Sequence, residues 1–274
     1  MKYTVEKDRI KILDKTDFNP EHILECGQVF PYAKTANGYK VFPSDKYAEI
    51  VETKEGYDIV TDSPEFFETY FDLNTDYGYI KRKLVRFDIL KKPLEFGYGI
   101  RILKQDLFEA VISFIISANN NIKRIQLILL RLREKLGTGK DEIKAFPSYD
   151  ALKGQPVEFF KEVGAGYRAD YLYKVLRQID PDLLNEWSKL DTRSLRNNLL
   201  SLYGVGPKVA DCILLFGYGR GDVFPVDTWI HQMYNTYYPP IENRNQIRDN
   251  LVSQFGGLSG YAQQYLFYYQ RSGK

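Results

Sequence analysis

Lys208 and Asp227 are the residues of this chain whose setting points most directly to covalent chemistry. Lys208 follows Leu202-Tyr203-Gly204-Val205-Gly206-Pro207. In that stretch a helix ends, two glycines permit a tight backbone turn, and Pro207 suits the first position of the next helix. An amine in the first turn of a helix faces the positive end of the helix dipole. That position disfavours the ammonium and favours the neutral amine, which is a nucleophile. Cys212 lies one helical turn further along the same face. Downstream of a glycine-rich loop comes Phe224-Pro225-Val226-Asp227-Thr228-Trp229. Asp227 is expected to cap a helix through Met233 and Tyr234, and a carboxylate that accepts backbone N–H groups stays ionised. A rigid carboxylate beside an amine suits a reaction that passes through a developing cation. The bare turn also leaves backbone N–H groups open to a phosphate. By spacing alone, the same residues equally describe a packed helix corner, a solvated lysine, a small core cysteine and an ordinary helix cap.

The elements that must position these residues change character along the chain. The first ~60 residues alternate as antiparallel strands do. Tyr3 to Val5, Ile10 to Leu13, Phe30 to Ala33, Tyr39 to Phe42, Tyr47 to Glu52 and Tyr57 to Thr61 are the expected extended segments. Asn37-Gly38 tolerates positive φ at both positions and signals a hairpin, and Lys54-Glu55-Gly56 signals a second. From Ser63-Pro64-Glu65, a cap followed by proline, helical spacing takes over. Helices are expected over 106–118, over 122–136 up to Gly137, over 167–179 and over 192–202, with Ser259 capping a last one. Pro93, Gly97 and Gly99 mark the expected boundary. The expected fold class is therefore α+β, an antiparallel β domain over 1–97 followed by an all-helical domain of eight or more helices over 98–274.

The 274 residues carry 38 Lys+Arg and 36 Asp+Glu, and 44% are hydrophobic. Such a chain can bury a sizeable core and is not predominantly disordered. Cys26 and Cys212 are its two cysteines, and His22 and His231 its two histidines. They cannot build a disulfide framework, a four-cysteine zinc site or a cysteine-ligated iron–sulfur cluster. No apolar run is long enough to span a bilayer, and the charged N-terminus lacks the apolar stretch of a signal peptide. A reducing, cytoplasmic location is expected. A net charge of +2 leaves nucleic-acid binding open, because a local patch suffices.

Gly204-Val205-Gly206-Pro207-Lys208 followed by Pro225-Val226-Asp227 resembles the helix-hairpin-helix DNA glycosylase superfamily, whose bifunctional branch carries the lysine. Further stretches resemble the 8-oxoguanine DNA glycosylases within it. These are Ser117-Ala118-Asn119-Asn120-Asn121-Ile122-Lys123-Arg124-Ile125, Gly164-Ala165-Gly166-Tyr167-Arg168-Ala169, Gly27-Gln28-Val29-Phe30 and Tyr261-Ala262-Gln263-Gln264-Tyr265-Leu266-Phe267. They occur in the family's order.

The resemblance implies a glycosylase and AP lyase that flips its target base out of the duplex. Lys208 would attack the anomeric carbon and form a Schiff base, and Asp227 would stabilise the oxocarbenium-like state. Base excision would be followed by a strand nick through β-elimination. Gly27 would direct its carbonyl at the imidazole-ring nitrogen that is a donor in 8-oxoguanine and an acceptor in guanine. An unpaired buried acceptor costs ~1–3 kcal/mol, about 10–150-fold in discrimination. Phe267 and Cys212 would sandwich the base, and Gln263 would bond its Watson–Crick edge. Asn119 would fill the gap left in the duplex, with Tyr167 as a wedge, while Arg124 and Arg168 would contact the orphaned cytosine. Gly204 and Gly206 would lie against the DNA backbone. Trp229 stands where many members have a phosphate-contacting histidine. Its indole donates one hydrogen bond but carries no charge. The implied partner is double-stranded DNA containing 8-oxoguanine, bound by a monomer with no obligate protein partner, no membrane, no cofactor and no metal in the chemistry. A relative with another lesion preference, or a non-catalytic DNA-binding module, would differ at Gly27, Gln263 and Phe267 or at Lys208 and Asp227 respectively.

Overall fold

The computed structural model describes residues 1–139 and 144–273, and the chain forms two compact units. The first comprises Met1–Val41, Tyr47–Lys104 and the residues from Arg220 onward; the second comprises Phe42–Lys46 and Gln105–Gly219. The division therefore does not follow a single cut at residue 97. Pro93 lies inside a helix and Gly97 caps its C-terminus, so the composition shift there marks a helix end within the first unit.

The chain opens with strands β1 (Tyr3–Val5) and β2 (Arg9–Ile12), helix α1 (Pro20–Leu24), and strands β3 (Tyr32–Thr35), β4 (Gly38–Val41), β5 (Ala48–Glu52) and β6 (Tyr57–Val60). The strands form one antiparallel sheet in the order β1-β2-β6-β5-β4-β3. Tyr39, Ile50, Ile59 and Ile10 stand opposite one another across four strands, and all are buried. That register is what period-two alternation requires once one face is covered. Phe18, Phe67, Tyr70 and Phe71 cover it. The hairpin expected at Asn37-Gly38 forms one residue earlier, with Ala36 and Asn37 between the paired Thr35 and Gly38, and β3 starts at Tyr32 rather than Phe30, because Pro31 has no N–H for the ladder.

Helices α2 (Pro64–Tyr70), α3 (Tyr77–Leu84) and α4 (Asp88–Phe96) complete this part of the first unit. Ser63 occupies the N-cap of α2, yet its hydroxyl donates to Asp62 Oδ1 at 2.9 Å and caps nothing. The second unit contains α5 (Leu107–Ser117), α6 (Ile122–Leu136), α7 (Tyr149–Lys153), α8 (Val157–Glu162), α9 (Arg168–Val175), α10 (Pro181–Trp187), α11 (Thr192–Leu200) and α12 (Pro207–Phe216). Helix α9 ends four residues before the expected Ile179. The first unit then resumes with α13 (Thr228–Tyr237), α14 (Arg244–Phe255) and α15 (Ser259–Arg271). Ser259 is the first residue of α15 and not its cap, and its hydroxyl donates to the Gly256 carbonyl at 2.5 Å. Helix α15 packs on α4 and α13, which joins the C-terminal helices to the unit that holds the sheet. No helix among the described residues is long and apolar enough to cross a membrane.

A buried ion pair organises the second unit. Arg133 Nη2 donates to Glu109 Oε1 at 2.5 Å, and both side chains are under one-tenth exposed. Arg133 also donates to the carbonyls of Phe42 (2.9 Å), Ser44 (3.2 Å) and Lys144 (3.1 Å), while Glu109 accepts the Ser44 N–H at 2.8 Å. The pair thereby fastens the 42–46 segment to α5 and α6. Burial pushes the Glu109 carboxyl up, and Arg133 opposes the rise. Arg133→Met leaves that carboxylate buried and unpaired and should cost about 3–5 kcal/mol, much of it recovered in Glu109→Met/Arg133→Met. A raised folded-state pKa means that proton uptake favours the folded form. The single variant should therefore lose stability more steeply than wild type as pH rises from about 5 to 8, as read by urea titration.

Candidate active site and nucleic-acid interface

In the second unit the glycine-rich hairpin joins α11 to α12. Its two helices are held together by Arg196, which donates from Nε and Nη2 to the two carboxylate oxygens of the buried Asp211 at 2.6 and 3.2 Å. Tyr203 N–H donates to Gln178 Oε1 at 2.7 Å, fixing the entry to the turn. Gly204 has φ +82°, and a Cβ there would lie 2.6 Å from the Tyr171 side chain, so both conformation and space demand glycine. Gly206 is exposed, caps α12 and has nothing within 4 Å of where a Cβ would stand, so a ligand backbone can approach the helix end closely. Pro207 takes the first helical position as expected.

Lys208 is half-buried, with Nζ 5.9 Å from the centroid of the Phe114 ring. It is paired with no carboxylate among the described residues. Phe114 is stacked on Phe216 at 5.4 Å, so the platform beneath the amine is itself fixed. Cys212, one turn beyond Lys208, is 4% exposed.

The three asparagines after α5 do three different things. Asn119 is exposed and left-handed, with φ +48°. Asn120 Nδ2 donates back to the Ile116 carbonyl at 3.1 Å and closes α5. Asn121 Oδ1 accepts the Arg124 N–H at 3.0 Å and caps α6. The strained residue is held from below. Arg168 donates to the carbonyls of Ala118 (Nε, 2.7 Å), Asn119 (Nη2, 2.6 Å) and Ala165 (Nη1, 3.4 Å), and Tyr167 Oη donates to Ala118 at 3.1 Å. Tyr167 is 52% exposed, whereas Arg168 is 2% exposed. Arg168, which the resemblance places at an orphaned cytosine, has its guanidinium on main-chain carbonyls that buttress Asn119. Arg124 is exposed and leans on the Gly164 carbonyl at 3.2 Å.

In the first unit the Gly27 turn is built from buried amides. The Gln28 side chain is fully buried. Its Nε2 donates to the carbonyls of Ile23 (2.9 Å) and Arg101 (2.7 Å), and its Oε1 accepts the Leu103 N–H at 2.9 Å. Gln264 Nε2 donates to the Cys26 carbonyl at 2.8 Å, tying α15 to the same turn. Gly27 has φ +88°, and a Cβ there would meet Arg271 Nη1 at 2.8 Å and Phe267 Cε1 at 3.0 Å. Gln263, Phe267 and Arg271 follow one another at i+4 spacing on one face of α15. Gln263 is 4% exposed, and its Oε1 is buried without a hydrogen-bond partner. The structure thus brings Gly27 and Phe267 into contact, with an unsatisfied amide oxygen one turn away. Asp227 caps α13 as expected, accepting the Ile230 N–H at 2.9 Å. Trp229, in the first turn of α13, is 43% exposed. His22 is half-buried and accepts the Gly99 N–H at Nδ1 (3.3 Å), and burial lowers its pKa. Gln28, Gln264, Asp211 and Arg271 were not assigned from sequence. The first three lie inside or beside the quoted motifs, where a buried polar role leaves no distinct spacing. Among the described residues no group of three or more His, Cys, Asp or Glu is placed to hold a metal ion.

Residues 11–111 match the family model described as 8-oxoguanine DNA glycosylase, N-terminal domain. The chain is 31% identical over 234 residues to a probable N-glycosylase/DNA lyase of Methanothermobacter thermautotrophicus, covering 75% of this chain and 72% of that protein. It is 32% identical over 222 residues to an N-glycosylase/DNA lyase of Arabidopsis thaliana, covering 74% of this chain but 60% of that longer protein. In three dimensions it is similar to the 8-oxoguanine glycosylase/lyase of Clostridium acetobutylicum, solved with double-stranded DNA containing cytosine opposite 8-oxoguanine. The TM-score is 0.91 at 37% identity, covering 100% of this chain and 98% of that one.

The hairpin geometry has a direct test. Gly204→Ala forces a side chain into a left-handed residue and against Tyr171, and should destabilise the protein by about 2 kcal/mol or more. Gly204→Ala/Tyr171→Ala removes the clash but not the backbone strain and should recover part of that loss, as followed by thermal melting.

Proposed function

The chain belongs to the 8-oxoguanine DNA glycosylases, a family of N-glycosylase/DNA lyases, and from that premise we propose that it excises 8-oxoguanine paired with cytosine and nicks the strand. Lys208 Nζ attacks C1′ of the flipped nucleotide. The C1′–base bond breaks, with its electron pair leaving on the base, and the sugar ring opens to a Schiff base. Loss of a C2′ proton then expels the 3′-phosphate. Asp227, held rigid by its cap, stabilises the cationic sugar. The partner is duplex DNA, bound by a single copy of the chain.

The observation that supports this reading best is the contact of Gly27 with Phe267. A glycine with no room for a Cβ, on an amide-braced turn and beside an aromatic face, suits a flat base whose imidazole-ring edge is read by a main-chain carbonyl. Gln263, with its buried unpaired Oε1, then meets the Watson–Crick edge, and that atom gains the partner it lacks. Cys212 closes the opposite face of the base. On the duplex, Asn119 fills the vacated position with Tyr167 beside it, and Arg124 reads the cytosine through paired acceptors. Arg168 serves this contact by holding Asn119. Gly204, Gly206 and Trp229 meet phosphates.

Incubation with a duplex bearing 8-oxoguanine opposite cytosine, followed by borohydride, should yield a covalent protein–DNA adduct. Lys208→Gln should abolish the adduct and lower strand cleavage below about one ten-thousandth of wild type, while lesion binding is retained. Undiminished cleavage by that variant would exclude Lys208 as the nucleophile. A normal rate of base release without an adduct would indicate hydrolysis assisted by Asp227 instead.

A further inference from the structure

Arg271 stands beside the base pocket with positive charge that no described carboxylate answers. Its guanidinium carbon is 5.4 Å from the centroid of the Phe267 ring, one turn back on α15. Nη2 donates to the Glu25 carbonyl, at the C-terminal end of α1. Nη1 presses on Gly27, where a Cβ would stand 2.8 Å away, and is buried without a hydrogen-bond partner. A buried cationic N–H without an acceptor is costly, and beside a candidate pocket a ligand atom is one group that can complete it. The two halves of this guanidinium therefore differ. One is spent on the turn, and the other faces the space next to Gly27.

We propose that Arg271 touches the excised base and carries part of the negative charge with which it leaves. This rests on the assignment of Gly27 and Phe267 as the base pocket. When the bond from C1′ to the base breaks, the electron pair departs with the base, and 8-oxoguanine spreads that charge onto its carbonyl oxygens. Gly27 addresses the imidazole-ring nitrogen flanked by those oxygens. Nη1, against Gly27, is in position to donate to the oxygen at C8, which guanine does not have. The leaving anion then takes up a proton from solvent water as it is released. The same contact adds to discrimination, because guanine would leave the Nη1 donor buried and unpaired. A charged donor fits this task better than a neutral one, since the interaction must strengthen as the bond breaks.

The test compares Arg271→Gln, a neutral donor, with Arg271→Lys, a shorter cation, at matched melting temperatures. Two single-turnover rates are read: release of 8-oxoguanine from duplex, and cleavage of a preformed abasic site, where no base has to leave. Base release should fall about 10–100-fold in Arg271→Gln, at least tenfold more than abasic-site cleavage falls, and Arg271→Lys should recover much of the loss. Equal losses in both reactions would reduce Arg271 to a strut for the turn and overturn the proposal. So would equal behaviour of the glutamine and lysine variants, or no loss at all. If wild type cleaves abasic sites but releases no 8-oxoguanine, the pocket assignment fails and this proposal falls with it.

Discussion

A glycine turn braced by two glutamine carboxamides is the constraint on which the candidate base pocket depends. Gln28 bridges the end of α1 to the 101–103 segment, and Gln264 ties α15 to the carbonyl before Gly27. A buried amide without partners would cost several kcal/mol, so these side chains are stable only in the one arrangement that satisfies them. Under the proposed function, that rigidity is what recognition requires. Two purines that differ at one ring nitrogen and one carbonyl can be told apart by a single main-chain acceptor only if that acceptor cannot turn toward another donor. Phe267 and Arg271, on the same helix as Gln264, are brought to Gly27 by the same bonds.

Arginine has a second task in this chain, and composition conceals it. Arg101, Arg133 and Arg168 are at most 3% exposed. Arg101 donates to the carbonyls of Phe71, Asp17 and Thr75 and stacks over Tyr77 at 4.1 Å. Arg133 gathers the 42–46 segment, and Arg168 holds Asn119 in a left-handed conformation. A guanidinium has five donors in a rigid fork, so one side chain can join carbonyls from separate segments. A protein that binds a polyanion would seem to need its cations outside, yet these three are structural. Arg124, by contrast, is exposed, and the N-terminus of α12 is open beside Gly206.

The Asn119 loop joins the two ideas. Three adjacent asparagines divide into a C-terminal closure, an N-terminal cap and an exposed left-handed residue. Strain of this kind costs about 1–3 kcal/mol and persists where the surroundings over-determine it. Here Arg168 and the Tyr167 hydroxyl do so.

Local rules made much of this chain legible. Alternation and the hairpin signal around Asn37 define the sheet, because side-chain period and turn chemistry act over a few residues. Asp227 caps the helix expected of it, since a capping carboxylate needs only the next turn. Gly204 and Lys208 sit in the expected hairpin. Ser63 takes the N-cap position of α2 as expected but spends its hydroxyl on Asp62, and Ser259 is the first residue of α15 rather than its cap, because a hydroxyl chooses among near partners by geometry. What needed the tertiary structure was everything set by distant pairing. The packing of α15 on α4 assigns the C-terminal helices to the unit of the sheet, against a boundary drawn from composition. The bracing of Asn119 by the buried Arg168 joins segments some fifty residues apart. The approach of Arg271 to Gly27, across most of the chain's length, has no trace in spacing, because nothing within either segment depends on the other until they meet.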